Sequence, residues 1–426
     1  MIPDAGLRRS IDAIWRIESP KVVARLTRLV GDVGTAEDLA QDTFLAALRR
    51  WPQSGVPDNP GAWLMATARH LAIDHLRRRD RGAAKLAQVG VSPDRVEVDF
   101  DADLDDDVGD DLLGLIFMAC HPVLSPEARA ALTLRLLGGL RTDEIARAYL
   151  ISEATAAQRI VRAKRTLAAT QVRFELPDAA ARRERLPSVL EVVYLIYNEG
   201  YAASSGDDWM RAELCHEAMR LGRVLASLLP DEPEVHGLLA LMELQASRLR
   251  ARTASDGTPV LLLDQDRGRW DQLLIRRGLA ALERAEELGG SLGPYALQAG
   301  IAACHARATT AEATDWGRIA ALYDALSQVA PSPVVEVNRA VALGMAFGPE
   351  AGLALADELV EVPELRSYHL LPAVRGDLLA RAGRHLEARD EFLRAAELTR
   401  NARERQVMLD RARQAAADAE RPDTSR

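Results

Sequence analysis

The sequence has few cysteines, few aromatic residues and no long apolar run. Three cysteines in 426 residues are too few for a disulfide framework, which favours a reducing, cytoplasmic setting. No stretch reaches the 18 or so consecutive apolar residues of a transmembrane helix, so we expect no membrane partner. Aromatic residues make up 4% of the chain, β-branched runs are scarce, and Ala and Leu dominate the apolar residues. This composition predicts an all-α fold.

Sequence motifs of common catalytic and metal sites are also missing. The chain contains no G-x-x-x-x-G-K-[ST], no G-x-S-x-G and no H-E-x-x-H. Each cysteine precedes a histidine, but the three pairs lie far apart on separate predicted helices, where cysteine is usually a small core residue. We therefore expect no catalytic residue, no metal site and no cofactor. The pairs are Cys120-His121, Cys215-His216 and Cys304-His305.

The formal net charge of −9 is unevenly distributed along the chain. Residues 1–85 carry 14 basic and 10 acidic residues, and residues 112–175 carry nine basic and five acidic residues. Between them, residues 86–111 hold ten acidic residues and one basic residue. Residues 176–426 are again acidic, with 30 basic and 38 acidic residues. Two basic modules are therefore predicted on either side of an acidic segment, followed by an acidic domain.

The first module, residues 1–81, is predicted to be a bundle of three or four helices. Thr35 is expected to cap a helix whose apolar face runs from Ala40 to Trp51. Pro60 or Gly61 opens the next helix, predicted over residues 61–79. Residues 82–111 are rich in Asp and poor in helix formers, so they are predicted to form a flexible linker.

The second module, residues 112–175, has the pattern of a helix-turn-helix. Ser125 and Pro126 are expected to start one helix, which the pair Gly138-Gly139 ends. Ser152 is expected to cap a last helix whose exposed face is basic. Two short helices joined by a tight turn, the second rich in Arg and Lys, are typical of DNA-binding proteins.

Residues 176–426 read as successive amphipathic helices separated by the breaks LPDEPE, APSPVV and FGPE. Near the end, small and aromatic residues fall at the positions that a tetratricopeptide repeat would give them, which predicts an α-solenoid. These residues are Gly376, Ala388, Phe392 and Ala395. A polar-aromatic cluster is expected to make an inter-helix polar contact against the preceding domain, or else to line a ligand pocket. It comprises Tyr194, Tyr197, Asn198, Glu199, Tyr201, Asp207 and Asp208.

Two predicted helices carry side chains suited to DNA. On the last helix of the second module, Gln and Arg can read base edges, and the capped N-terminus offers amides to a phosphate. These candidates are Ser152, Thr155, Gln158, Arg159 and Arg162. On helix 61–79, a stripe suits stacking on an unpaired base beside backbone contacts, with Asp74 expected to orient two arginines by ion pairing. These candidates are Trp63, Thr67, His70, Arg77 and Arg78. The alternative for both faces is an ordinary solvated helix surface.

The joint pattern of the two modules resembles the extracytoplasmic-function sigma factors over roughly residues 5–172. The motifs are AEDLAQDTFLAALRRW, NPGAWLMATARHLAIDHLRRR, an acidic linker and ATAAQRIVRAKRTL. The resemblance implies that residues 1–81 are sigma region 2, residues 112–175 are region 4, and core RNA polymerase and promoter DNA are partners. It implies that Asp38, Gln41 and Asp42 contact polymerase and that loop 51–59 captures a flipped base of the −10 element. Helix 61–79 would then read the adjacent duplex, and Arg159 and Arg162 the −35 element.

The remaining segments are interpreted from the same resemblance. The acidic linker would be repelled by DNA, yet it suits the positively charged channel of the polymerase. The extension resembles that of a sigma subgroup with a tetratricopeptide-like C-terminal domain, which implies a regulatory protein or ligand at residues 176–426. Two other hypotheses stay open: a conventional helix-turn-helix regulator with a protein-binding repeat domain, and a scaffold whose DNA modules are vestigial.

Overall fold

The computed structural model describes residues 5–87, 108–149, 151–170, 172, 174–175, 178–201, 210–254, 258–399 and 401–420. These residues form eighteen α-helices and five short 3-10 helices, and their only β-pairing is an isolated bridge between Thr253 and Pro259. The prediction of an all-α fold is confirmed. No helix in the described part of the chain has the length and apolarity needed to cross a membrane. The chain divides into two compact units, residues 1–195 and 196–426.

Unit 1 begins with three helices, which form the predicted first module: α1 (Ala5–Val30), α2 (Val33–Ser54) and α3 (Pro60–Ala87). Helix α3 starts at Pro60 as predicted but continues to Ala87, six residues into the predicted flexible linker. The expected cap of α2 is wrong by three residues. Asp32 is the N-cap, and its Oδ1 accepts a hydrogen bond from the Thr35 amide at 2.7 Å.

Four helices follow as the second module: α4 (Val108–Ala119), α5 (Pro126–Leu136), α6 (Thr142–Ala148) and α7 (Glu153–Ala169). Ser125 and Ser152 cap α5 and α7 as predicted, each accepting a backbone amide three residues on. Gly139 follows α5 with φ of 63°, a conformation that costs glycine little, and a Cβ there would lie 3.3 Å from Ser19 Oγ. The helical breaks of this module were therefore predictable from local residue types.

The first part of helix α8 (Ala179–Tyr201) also belongs to unit 1. Ser188 Oγ donates to the Cys120 carbonyl at 2.7 Å, and Arg185 Nη2 donates to the Phe117 carbonyl at 2.8 Å. Arg129 of α5 forms an ion pair with Glu191 at 3.1 Å. The compact unit thus extends about 20 residues beyond the domain boundary predicted at residue 175.

Unit 2 continues with ten α-helices, most of which pack against their neighbours in the chain. The three predicted breaks are confirmed, since a helix ends before or within each of them and α10, α14 and α15 each begin at a proline of the break. The helices are α9 (Ala212–Leu228), α10 (Pro233–Ala246), α11 (Gln272–Glu287), α12 (Pro294–Arg307), α13 (Trp316–Val329), α14 (Pro333–Phe347), α15 (Pro349–Glu358), α16 (Leu370–Arg381), α17 (His385–Leu398) and α18 (Ala402–Glu420).

The residues assigned to a tetratricopeptide pattern pack together between α16 and α17. A Cβ at Gly376 would lie 2.7 Å from the ring of Phe392, so only glycine allows this close approach. Ala388 and Ala395 are completely buried on the same helix as Phe392. This local packing agrees with the pattern, while membership of the tetratricopeptide class stays a prediction.

Candidate nucleic-acid interface

Helix α7 has one buried and one exposed face. Ala156, Ile160, Ala163 and Leu167 recur at helical spacing and are buried in the module. On the other side Gln158 and Arg162 are exposed, Arg159 and Thr155 are half-buried, and Ser152 is exposed. The Ser152 hydroxyl accepts the Thr155 amide at 3.1 Å and bonds the Thr155 hydroxyl at 2.8 Å, so both hydroxyls already serve the helix cap. The structure thus brings the five candidates of this helix to one side of it.

Arg162 and Gln158 are the candidates on α7 best placed to meet a base edge, because both are exposed. Arg159 is within electrostatic reach of Glu127, whose pKa lies below its ordinary value mainly because of backbone and Ser125 hydrogen bonds. Lys164, on the same helix, is directed elsewhere, since its Nζ lies 2.6 Å from Glu37 Oε2. The DNA-binding role of these residues stays a prediction.

The candidates on α3 differ in exposure. His70, Arg77 and Arg78 are exposed, whereas Trp63 and Thr67 are half-buried. The Trp63 ring meets the Trp51 ring edge to face, with centroids 5.3 Å apart, and the Thr67 hydroxyl donates to the Trp63 carbonyl at 2.8 Å. One side of the Trp63 ring is thereby used in packing, which leaves less of it for stacking on a base.

Asp74 does not orient Arg78 in the way that the spacing predicts. Arg78 Nε donates to the backbone carbonyl of Asp74 at 3.1 Å. The side chain of Arg81 likewise donates to the carbonyl of Arg77. The guanidinium groups therefore lie back along their own helix, where main-chain acceptors hold them.

The loop expected to capture a flipped base is shorter than predicted. Residues 51–54 belong to α2, and Trp51 is a core residue that is 1% exposed. The remaining loop, residues 55–59, starts at Gly55 with φ of 80° and ends at Asn59, whose side chain accepts the Ala62 amide at 3.0 Å. The base-capturing role of this loop stays a prediction, which now concerns residues 55–59 because the ring of Trp51 is buried.

Helix α2 presents the predicted polymerase-contacting residues to solvent. Asp38, Gln41 and Asp42 are exposed, and Leu45 on the next turn is an exposed apolar residue. Gln41 Nε2 also donates to Glu37 Oε1 at 3.3 Å, which ties its amide to the helix. Acidic groups around an exposed leucine form a surface suited to a protein partner with a basic rim.

Glu37, the neighbour of Asp38, is buried and joins the two modules. Its Oε1 accepts a hydrogen bond from Arg135 Nε of α5 at 2.5 Å, and its Oε2 forms the ion pair with Lys164 of α7. Burial alone would raise the pKa of Glu37, but the charges of Arg135 and Lys164 outweigh it, so the pKa lies below its ordinary value. The modules, predicted as separate basic bodies, thus meet within unit 1. The sequence does not predict this cluster, because Glu37 lies about 100 residues or more before Arg135 and Lys164 and no motif links the three residues.

A second contact involves the end of the predicted acidic linker. Asp111, in the first turn of α4, is 3% exposed and lies between two arginines of α1. Arg25 Nη1 and Arg28 Nη1 approach its two carboxylate oxygens at 3.2 and 3.0 Å. The residues from 108 to 111 are therefore part of a helix and not of a flexible linker, and the rest of the predicted linker, residues 88–107, lies outside the described residues.

The three cysteines are all buried. Burial raises the pKa of Cys120 to about 11 and that of Cys215 to about 12, and it also raises the pKa of Cys304. Cys120 Sγ lies 3.4 Å from the Thr133 hydroxyl and Cys215 Sγ 3.7 Å from the Tyr197 carbonyl. The described residues hold no group of three potential metal ligands.

The polar-aromatic cluster makes contacts within unit 2. The rings of Tyr197 and Tyr201 stack with centroids 5.7 Å apart, and Glu199 is paired with Arg211. Tyr201 contacts Arg248 and Arg252, as described below. Asp207 and Asp208 lie outside the described residues.

Comparisons with known proteins agree with the two-module helical architecture. Residues 14–82 match the family Sigma-70 region 2, residues 114–167 match Sigma-70, region 4, and residues 185–286 match a family of unknown function, DUF6596. The Uncharacterized protein R00370 of Rhizobium meliloti is 43% identical over 90% of this chain and 91% of its own length. No solved structure matches the chain.

Named sigma factors match the N-terminal part. The Probable RNA polymerase sigma-C factor of Mycobacterium bovis is 32% identical over 38% of this chain and 84% of its own length. The Probable ECF RNA polymerase sigma factor SigI of Mycobacterium tuberculosis is 30% identical over 40% of this chain, which covers 59% of SigI. The chain belongs to the ECF family of RNA polymerase sigma factors.

Proposed function

We propose that this sigma factor binds core RNA polymerase and directs it to promoters with specific −10 and −35 elements. The observation that carries the proposal is the exposure, on one compact unit, of the α2 face with Asp38, Gln41 and Asp42 and of the α7 face with Gln158 and Arg162. The first face suits the polymerase and the second the major groove of the −35 element. Helix α3 and loop 55–59 would meet the −10 element. Such a subunit directs another enzyme, which agrees with the expectation that the chain has no catalysis of its own, and it would work in the cytoplasm, where polymerase acts.

The uneven charge along the chain supports a model in which the protein binds promoter DNA only together with polymerase. Residues 86–107 hold eight acidic residues and one basic residue, so this part of the chain opposes DNA binding by the free protein. We infer that it occupies a basic channel of the polymerase. Asp111 is excluded from that role because Arg25 and Arg28 already neutralise it.

The test is run-off transcription with core polymerase on DNA selected by the complex. Promoter-dependent product is expected from the wild type, and Arg162→Ala should reduce it strongly. Arg394→Ala, an exposed arginine of α17, serves as the matched control. A gel shift with and without core enzyme separates the two hypotheses, since tight sequence-specific binding without polymerase would favour a conventional regulator.

We also propose that the extension controls the activity of unit 1. The support is α8, whose residues Arg185, Ser188 and Glu191 contact the second module before the helix continues into unit 2. The informative truncation is after Leu195, since a cut at residue 175 or 185 would also remove these contacts. A fragment of residues 1–195 that transcribes as the full chain does would contradict control by the extension.

A further inference from the structure

Unit 2 contains a concentration of arginines in the segment between α10 and α11. The five are Arg248, Arg250, Arg252, Arg267 and Arg269. Two acidic side chains of this segment cap helix ends: Asp266 Oδ1 accepts the Gly268 amide at 2.9 Å, and Asp271 Oδ1 accepts the amides of Leu273 and Leu274. Across residues 247–271 the five arginines outnumber the four aspartates by one, although the extension as a whole is acidic.

Four of these arginines have no carboxylate partner within the described part of the chain. Among the described residues, no carboxylate oxygen lies within 4.0 Å of a guanidinium nitrogen of Arg248, Arg250, Arg267 or Arg269. Arg267 donates instead to the carbonyls of His305 and Ala308, the latter at 2.9 Å. Neutral acceptors hold a guanidinium in place but leave its charge uncompensated.

Aromatic rings orient the inner arginines. The Arg267 guanidinium lies 4.7 Å from the centre of the Trp270 ring, and that of Arg248 lies 5.9 Å from the same ring. Arg248 Nη2 also donates to the Tyr201 hydroxyl at 2.7 Å, and Arg252 stacks on Tyr201 at 3.6 Å. The positive charges are thus fixed by cation–π contacts around two rings, of which Trp270 is 4% exposed.

The charges of these arginines also contribute to the pKa of His305. Burial, followed by the charges of Arg248 and Arg267, lowers the pKa of His305 to about 3. The only acid that acts noticeably on Arg267 is Glu312, and it forms no ion pair with it in the described structure. The charges of Arg248 and Arg267 therefore reach His305 and add to the effect of its burial.

An open depression of about 800 Å³ lies beside Trp270, a volume within the range of small-molecule sites. Arg250 and Arg269, both exposed, line it together with Trp270, Thr253 and Gln272. Asp271 also borders it, but its carboxylate is held by the amides of α11. Two exposed guanidinium groups thus line this space, and two more contact the Trp270 ring that borders it.

We propose that this cavity binds a small molecule bearing a phosphate group. Guanidinium groups match phosphate oxygens in geometry and charge, and a dianion would balance more of the uncompensated charge than a carboxylate. A polyanion such as DNA fits less well because the surrounding domain is acidic and the arginines line a concavity and not an extended ridge.

The test is calorimetric titration of the full-length protein with inorganic phosphate, with AMP and with adenosine, the uncharged counterpart of AMP. Phosphate and AMP are expected to compete for one site, and adenosine to bind at least tenfold more weakly than AMP. Arg269→Gln and Arg250→Gln should each weaken AMP binding about tenfold, as expected for a lost charge-assisted hydrogen bond. Arg276→Gln, an exposed arginine of α11 outside the cavity, should leave it unchanged.

Circular dichroism and thermal unfolding of each variant without ligand establish that it is folded, and either rim variant alone suffices if the other fails to fold. Failure of both phosphate and AMP to bind at millimolar concentration would overturn the proposal. Equal binding of adenosine, an equal effect of Arg276→Gln, or displacement of AMP only by a DNA duplex would overturn it too. The titration uses the free chain, so its outcome is independent of transcription by the protein.

Discussion

Replacing Glu37 with glutamine is expected to lower the free energy of unfolding of unit 1 by about 3 kcal/mol. Glutamine keeps the shape of the side chain and one acceptor oxygen for Arg135, but it removes the negative charge. Arg135 and Lys164, each 21% exposed, would then face each other across a neutral amide. Removing one member of a buried ion pair typically costs about 3–5 kcal/mol, and the lower end applies because both cations keep some contact with water.

The effect of Glu37→Gln should depend on pH with a definite sign. The pKa of Glu37 is lower in the folded protein than its ordinary value of 4.5. The ionised carboxylate therefore contributes its full stability above that ordinary value, and the contribution is lost as the pH falls through the lower folded pKa. The difference between wild type and variant is expected to be largest near neutral pH and to shrink below about pH 4.

The measurement is urea unfolding of the full-length protein combined with hydrogen exchange of peptides from α2, α5 and α7. Asp38→Asn is the matched control, because it removes an exposed carboxylate from the next residue and should change stability by less than about 0.5 kcal/mol. A double-mutant cycle of Glu37→Gln with Lys164→Met should give a coupling energy of at least about 1 kcal/mol. Equal effects of Glu37→Gln and Asp38→Asn, or simple additivity in the cycle, would refute a charge contact between the modules.

Three further predictions concern buried groups. Because burial raises the pKa of Cys120 to about 11 and that of Cys215 to about 12, native protein at pH 8 should react with a thiol reagent far more slowly than urea-unfolded protein; equal rates would contradict the burial. Gly376→Leu should destabilise unit 2 by about 3 kcal/mol in urea unfolding, since a Cβ there meets the Phe392 ring at 2.7 Å, while Gly317→Leu, at an exposed position of α13 where the nearest atom to a Cβ is 3.7 Å away, should cost less. The pKa of His305 is about 3 in the folded protein and about 6.5 in the unfolded chain, so between pH 6.5 and pH 3 only the unfolded chain binds the proton. The free energy of unfolding should therefore fall as the pH drops through this range. It should fall less in His305→Gln, which has no proton to take up.

Helix ends were the most predictable feature, because the residues that set them act locally. Ser125 with Pro126, Ser152 and the prolines that begin α10, α14 and α15 all mark helix starts in the structure. The cap of α2 was misassigned because Asp32 and Thr35 are both good N-cap residues three positions apart. The geometry chooses Asp32, whose carboxylate reaches both the amide and the hydroxyl of Thr35.

Composition was a weaker guide to where segments end. The Asp-rich stretch predicted as a linker covers residues 82–111, but its last residues belong to α4. Asp111 is held there by ion pairs with Arg25 and Arg28, which lie 86 and 83 residues earlier in the chain. Trp51 was placed in a base-capturing loop by resemblance, whereas it completes the apolar face of α2 and is buried. In the first case a contact between distant segments decides the outcome; in the second, the apolar spacing from Ala40 to Trp51 already placed Trp51 on the buried face of the helix.

Helix α2 shows how one element can serve two requirements at once. Successive residues of a helix point about 100° apart, so Glu37 faces the second module while Asp38 and Asp42 face solvent; Gln41, one turn after Glu37 and hydrogen-bonded to it, is exposed at the edge between the two sides. The residues that hold unit 1 together and those proposed to contact polymerase therefore alternate along the same two turns. Substitutions at Glu37 and Asp38 can then be separated by assay: the first should alter unfolding and module contact, and the second only polymerase binding. If both changed stability alike, the two faces of α2 would not be distinct, and the assignment of Asp38, Gln41 and Asp42 to a partner surface would lose its structural basis.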